Sequence, residues 1–269
     1  MRGLSAAYAP EWLALREEAD AQARSSELLE PLRAHLDDRP LVIRDLGCGT
    51  GSMARWLDDR LPHPRRWILH DSDPRLLHRA VAAVPNATAA DAELRDVTRL
   101  RAPDLAGTSL VTASALLDLL TADEVNRLAT ACVGAGCPAL FALSVTGRVE
   151  VDPAEPLDAE IAGAFNAHQR RTVGTRRLLG PDALGFAVGA FRGRGATVHR
   201  RPSPWRLGPD RSALGAEWLH GWVAAAVEQR PELGRAAEAY LHRRLDACMA
   251  GDLRIVVHHE DLLALPVGG

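Results

Sequence analysis

The chain contains no lysine: all 32 of its basic residues are arginine, and with abundant Ala, Gly and Pro this points to a high-GC bacterial genome rather than to an activity. The 35 acidic residues nearly balance them. A net charge of −3 and a pI near 6.4 argue against a broad nucleic-acid-binding face, though not against a local basic patch. No signal peptide and no apolar run of about 18 residues is present, so neither export nor a membrane span is expected. The four cysteines (Cys48, Cys132, Cys137, Cys248) form no disulfide or metal-ligand pattern and read as reduced thiols of a cytoplasmic protein. His258-His259-Glu260-Asp261 invites a metal, but adjacent strand residues point to opposite faces, so no metal is expected. Internal repeats and low-complexity segments are absent. At 269 residues, 47% hydrophobic and 25% charged, the composition is that of a soluble α/β domain with insertions.

What is present is a glycine-rich turn, Asp45-Leu46-Gly47-Cys48-Gly49-Thr50-Gly51. Leu41-Val42-Ile43 before it reads as a short buried strand, and Met53, Trp56 and Leu57 after it recur at helical spacing. Glycine admits positive φ and lets a ligand approach the backbone without meeting a Cβ. The following helix turns its unpaired N–H groups and positive dipole end toward that ligand. A dinucleotide fingerprint, G-x-G-x-x-G, would need a glycine at position 52, where Ser52 stands. The observed G-x-G-x-G after an acidic residue resembles motif I of the class I S-adenosylmethionine (SAM)-dependent methyltransferases. The resemblance implies an α/β fold, a Rossmann-like seven-stranded, mostly parallel sheet with helices on both faces. It also implies SAM as cofactor, S-adenosylhomocysteine (SAH) as product, and Asp45, Gly47, Cys48, Gly49 and Gly51 around them. A tight turn with no ligand is the alternative.

Residues 10–36 read as helical, opened by Pro10 and broken or restarted at Pro31. Arg16, Asp20 and Arg24 share one face, either as a solvated ion-pair ladder or, by the resemblance, as part of a cap whose Arg24 or Arg16 holds the methionine carboxylate. Residues 1–38 are expected to form this cap and 39–269 the SAM-binding domain, with insertions at about 144–180 and 206–250. Arg66–Asp71 reads as the second strand. Asp71, 20 residues beyond Gly51, stands where a carboxylate can accept two hydrogen bonds from a ribose diol. Asp71-Ser72-Asp73-Pro74 resembles the family's motif II and brings Ser72 to the site; Asp73 is a second ribose candidate or a helix cap.

Ala87–Ala90 reads as the third strand, followed by Asp91 and Ala92, which the resemblance places at the adenine unless Asp91 caps a helix over 93–101. The fourth strand, Ser109–Ser114, delivers Ser114 to the cofactor. Asp118 stands where the family commonly has a histidine near the transfer centre; it is a base, an acceptor ligand or a turn cap. The fifth strand is Pro138–Leu143 and the next helix 181–194, leaving 144–180 as a long connection that turns from acidic to basic. Its Arg170 and Arg171, with His168 as a second base, suit an acceptor bearing carboxylate or phosphate, or else form a solvated surface. Ala196–Arg201 and Leu253–Val257 read as a closing antiparallel hairpin. The two helices between them carry Trp218 and Trp222, as packing or as an apolar acceptor wall.

The resulting expectation is a cytoplasmic SAM-dependent methyltransferase, a homodimer acting on a small, anionic acceptor of natural-product or secondary metabolism, with no nucleic-acid or membrane partner. An RNA or protein methyltransferase is one alternative, disfavoured by the lack of lysine clusters and of an Asn-Pro-Pro-Tyr motif. A SAM-binding protein without transferase activity is the other.

Overall fold

A helix opens the described part of the chain because Pro10 sits at its first position, where a missing N–H leaves no hydrogen bond unmade. The computed structural model describes residues 9–36, 39–62, 65–84 and 89–267. Helix α1 (Pro10–Ala23) ends at Arg24, which turns extended (φ −55°, ψ 132°), and a 3₁₀ turn at Ser26–Leu28 leads into α2 (Leu29–His35). The break expected at Pro31 therefore lies seven residues earlier, at Arg24. Pro31 falls in the first turn of α2, where N–H groups have no helical partner in any case.

From there strands and helices alternate: β1 (Leu41–Leu46), α3 (Ser52–Asp58), β2 (Arg65–Asp71), α4 (Pro74–Ala83), β3 (Ala89–Leu94), β4 (Leu110–Ser114) and α5 (Ala122–Gly134). Thr121 and Glu124 form the expected capping box at the start of α5, each side chain accepting the other's backbone N–H. Next come β5 (Ala139–Asp152), α6 (Leu157–Gln169), the hairpin β6 (Thr172–Val173) and β7 (Arg176–Arg177), and α7 (Ala183–Arg192). The chain closes with β8 (Thr197–Pro202), β9 (Trp205–Leu207), α8 (Ser212–Gln229), α9 (Gly234–Ala250) and β10 (Arg254–Leu265).

The main sheet runs β3-β2-β1-β4-β5-β10-β8, with the short β9 also on β10. The first five strands are mutually parallel, and β10 is antiparallel to β5 and β8. This is the expected mostly parallel, Rossmann-like sheet. Alternation along a strand separates its two faces. On β10, Leu262 and Ala264 join a core with α5 and α7, while Leu263 and Leu265 join a core with α2, α3 and α4. Each fully buried leucine in these cores stabilises by about 1.5–3 kcal/mol relative to exposure. Helix α2 contributes Leu28-adjacent Leu29 and Leu32 to the second core, so it packs on the sheet rather than standing apart from it.

Several strands run past their expected ends; the last, read as Leu253–Val257, continues as β10 to Leu265. The fifth strand passes Leu143 and runs to Asp152, because the twelve-residue β10 pairs with it across two register shifts. Gly147 interrupts the apolar alternation there, which hid the continuation. The extended ends of β5 and β10, with β9, carry a third core formed by α6, α8 and α9. The third strand, expected to end at Ala90, continues to Leu94; Ala87 and Thr88, where it was expected to begin, lie outside the described residues.

Candidate active site

Strand order reverses between β1 and β4, and a cavity of about 720 Å³ opens there at the C-terminal ends of the parallel strands. The glycine turn is one wall. Gly47, Gly49 and Gly51 have φ of +63°, +56° and +84°, values that side chains rarely adopt. Gly47, Cys48 and Gly49 line the cavity; Gly51 instead starts α3, and a Cβ there would lie 3.3 Å from the Ala80 backbone on α4. Its service is to let α3 and α4 approach. The Gly49 N–H donates to Asp71 Oδ2 (3.0 Å) and the Asp73 N–H to Asp71 Oδ1 (3.0 Å). These two bonds fix the carboxylate at the cavity beside Ser72 while leaving lone pairs on both oxygens. Asp73 caps α4, accepting the Arg75 N–H at 2.8 Å.

Two buried charges stand deeper in the same region. Arg24 is 4% exposed; its Nη2 donates to Ser52 Oγ and Ser114 Oγ, both cavity-lining, at 3.1 Å each, while Nε and Nη1 have no partner. Asp45 lines the cavity, accepts the Thr112 hydroxyl on Oδ1 at 2.8 Å, and has no partner on Oδ2. Burial raises its carboxyl to about 7, against the Thr112 hydrogen bond and the Arg24 charge. Groups of opposite charge thus keep open hydrogen-bonding atoms at this end of the sheet, Nε and Nη1 on Arg24 and Oδ2 on Asp45.

Helix α1 roofs the cavity with Leu13, Arg16 and Asp20. Glu17 takes both arms of Arg55 on α3 (2.7 and 2.6 Å), and the Trp56 indole donates to Ala21 O at 3.1 Å. On the other side the Trp205 indole of β9 donates to Asp20 Oδ1 at 3.0 Å, and Arg16 pairs with Asp20 while standing 4.9 Å from the Trp205 ring centre. The roof is thus tied to the glycine-turn helix and to the sheet extension alike.

Asp91 and Ala92 are not brought to the cavity. Both lie within β3, Asp91 level with Ile68, and its exposed carboxylate pairs with Arg66 at 2.6 Å. The wall they were expected to form belongs to Asp96, Val97 and Thr98 after the strand. Asp96 accepts the Thr98 N–H (3.0 Å) and hydroxyl (2.7 Å), and the hydroxyl bond above all holds its carboxyl below the usual range. This wall escaped the sequence because β3 is an exposed edge strand with no apolar run to mark its end. Leu13 and Thr50 also line the cavity and were not singled out.

Past β4, Ser114 lines the cavity and Ala115 takes φ +50°, a strained turn that swings Leu116, Leu119 and Leu120 onto the cavity wall. Asp118 lies in the 3₁₀ turn Leu117–Leu119, outside the lining, with no partner on Oδ1; burial pushes its carboxyl up to about 6, against the charges of Arg16 and Arg171.

The basic segment after α6 is distributed differently from the expectation. Arg170 is held bidentately by Asp182 (2.6 and 2.7 Å) on the exposed side. Arg171 donates to His168 O at 3.0 Å and lies 3.3 Å from His168 Nδ1, and burial lowers the His168 pKa. It is Arg176, on β7, that reaches the cavity, gripped by Glu124 at 2.9 and 2.7 Å. Trp218 and Trp222 stack at 4.9 Å inside the third core, Trp222 near Tyr240, and line no part of this cavity. They pack because α8 is buried on the side facing α6 and α9. Among the described residues no group of three His, Cys, Asp or Glu could hold a metal, and no helix is long and apolar enough to cross a membrane.

No protein-family model matches the sequence, and no curated protein matches it. Solved structures do resemble it. The YcgJ protein of Bacillus subtilis aligns with 91% of this chain and 100% of its own at 12% identity and a TM-score of 0.49. The plantazolicin methyltransferase BpumL, solved with SAH, aligns with 99% of this chain and 90% of its own at 12% identity and a TM-score of 0.47. The cyclopropane synthase MmaA2 of Mycobacterium tuberculosis aligns with 88% of this chain and 83% of its own at 11% identity and a TM-score of 0.46.

Proposed function

We propose that this protein is a SAM-dependent methyltransferase acting on a small-molecule acceptor. The observation that carries the reading is a pair of buried charges with open hydrogen-bonding atoms, Arg24 on Nε and Nη1 and Asp45 on Oδ2, beside a glycine turn and a cavity-lining Asp71. The methionine end of SAM has one carboxylate and one ammonium, which complement the guanidinium of Arg24 and the free oxygen of Asp45. Asp71 would accept the ribose hydroxyls, and Asp96 with the Val97–Thr98 backbone would border the adenine. When bound, SAM supplies an electrophilic methyl group for in-line displacement. The chain's part is to align the acceptor and exclude water, a task suited to Leu13, Leu116, Leu119 and Leu120 under the α1 roof.

Asp118 is the base to test for an acceptor hydroxyl or ammonium, its carboxyl raised by burial to about 6; it stands in the Leu117–Leu119 turn off the cavity wall, so proton transfer would require that turn to move. His168 is a second candidate. The anionic acceptor is not carried forward, because Arg170, Arg176 and Arg16 each already have a carboxylate partner. Calorimetry with SAH tests the cofactor: the protein should bind it, and Asp71→Ala should bind at least about 100-fold more weakly when measured below its own unfolding transition, which the loss of an acceptor for the Gly49 and Asp73 N–H groups should lower by several degrees. Methyl-labelled SAM incubated with cell extract tests the acceptor. Label should enter the low-molecular-weight fraction; label in RNA or protein, or in no fraction, would overturn the small-molecule reading.

A further inference from the structure

Resting on the reading of the cavity as a SAM site, we infer that Asp261 is a positioning residue for the amino-acid end of the cofactor, acting through the Arg24–Ser25 peptide. Asp261 lies on β10 at the register shift between Glu260 and Leu262 and is 1% exposed. Its Oδ2 accepts the Ser25 N–H at 2.7 Å and its Oδ1 accepts the Leu143 N–H at 2.8 Å. Leu143 has φ +56°, unusual for a side chain of its kind, and lies between the paired positions Phe141 and Ser144 of β5. One carboxylate therefore joins the exit of α1 to both strands of the bulge between β5 and β10.

The consequence falls on Arg24. Its backbone leaves α1 extended, and the next peptide N–H is the one that Asp261 holds. The guanidinium projecting from that point reaches Ser52 on one wall and Ser114 on the other with two nitrogens unpartnered. A shift of the 24–25 peptide would move a long lever whose tip must meet a carboxylate within a hydrogen-bond length. Neither Asp261 nor Arg24 is among the cavity-lining residues, but Arg24 Nη2 bonds directly to two that are, Ser52 and Ser114, whereas Asp261 reaches the site only through the Ser25 N–H, so its role is to aim Arg24 rather than to touch the ligand. The single bulge at which Ala142 and Leu143 of β5 oppose Asp261 of β10 is what brings one of its oxygens to the Leu143 N–H, while β10 keeps its register with β8 at Arg201.

Ser25→Pro separates the tether from the carboxylate. Ser25 has φ −75° and Arg24 ψ 132°, values that proline and the residue before it adopt without strain, so the substitution removes the N–H while the backbone path is retained. Calorimetry should show SAH bound about ten-fold more weakly by Ser25→Pro and by Asp261→Asn. 5′-Methylthioadenosine, which shares the nucleoside and sulfur but lacks the amino-acid end, should bind within about two-fold of the unsubstituted protein. In an Arg24→Met background, Asp261→Asn should have no further effect on SAH. Equal loss of both ligands, or an Asp261→Asn effect undiminished by Arg24→Met, would overturn the tether. SAH binding unchanged in Ser25→Pro would overturn the tether alone, whereas no SAH binding by the unsubstituted protein would overturn the cofactor reading with it.

Discussion

The two halves of this molecule differ in how their buried charges are matched, by hydroxyl groups around the cavity and by carboxylates in the helical layer. Around the cavity, at the ends of β1, β2 and β4, charged side chains are buried with valences left open: Arg24 on two nitrogens, Asp45 on one oxygen. In the helical layer on the β5–β10 extension, Arg244 is 1% exposed, donating to Pro153 O at 2.6 Å and to Asp158 at 2.5 Å, with Glu155 3.6 Å from its Nε, and Tyr240 donates to the Asp158 carboxylate at 2.6 Å. The Nε of Arg244 and the Trp222 indole N–H are left without a hydrogen bond there. The layer's cluster ties α9 to the start of α6 and serves stability. The first region is organised for something that arrives; the second holds itself together.

Substitutions that touch only one region break or sharpen this contrast. The largest effect is expected from Trp222→Ala, which empties a side chain 2% exposed between Trp218 and Tyr240. It should lower stability by about 3–5 kcal/mol in denaturant titrations, while SAH affinity measured below the transition stays within about three-fold. A larger loss of affinity would mean that the helical layer shapes the cofactor site. Gly51→Ala, at φ +84° and 3.3 Å from the Ala80 backbone, should cost about 1–3 kcal/mol and weaken SAH as well, because α3 begins there.

Asp45 gives a smaller, pH-dependent effect. Its folded pKa, about 7, lies above the ordinary value, so between about pH 4 and pH 7 the folded protein keeps a proton that the unfolded chain has released. Stability therefore falls as pH rises through that window and the contribution is flat on either side. Asp45→Asn should remove this part of the slope from melting temperatures measured against pH, and bound SAH should reduce it in the unsubstituted protein. The smallest effect belongs to Arg170→Ala. An exposed arginine already paired with Asp182 should change stability by no more than about 0.5 kcal/mol and leave turnover unaltered. A fall in turnover would return Arg170 to the acceptor site.

The glycine-turn side of the cavity was legible because its residues are local in sequence. Asp45 to Gly51 and Asp71-Ser72 each place several ligand groups within a few residues, and a strand end followed by a helix start fixes their direction. Asp91 was misplaced because β3 is an edge strand with no apolar signature, so its end could not be located. Trp218 and Trp222 read equally as wall or packing, since a helical stripe says that a face is buried without saying against what. The arginines of 170–177 were indistinguishable by composition. Their carboxylate partners, Asp182 and Glu124, decide which one faces the cavity, and Glu124 lies 52 residues away.

By itself the amino-acid sequence determined the alternation of strands and helices, the positive-φ turn at Gly47, Gly49 and Gly51, and the carboxylate at the second strand end. Each of these follows from residue type and short-range spacing. Only the tertiary structure decided that Arg24 would be buried with open valences, that Asp96 rather than Asp91 would border the cavity, and that Asp261 on the last strand would hold the peptide after α1. Those outcomes depend on register, on where a strand stops pairing and on contacts between residues as much as 236 positions apart. Strand register and packing, and no local pattern, choose the partners across such distances.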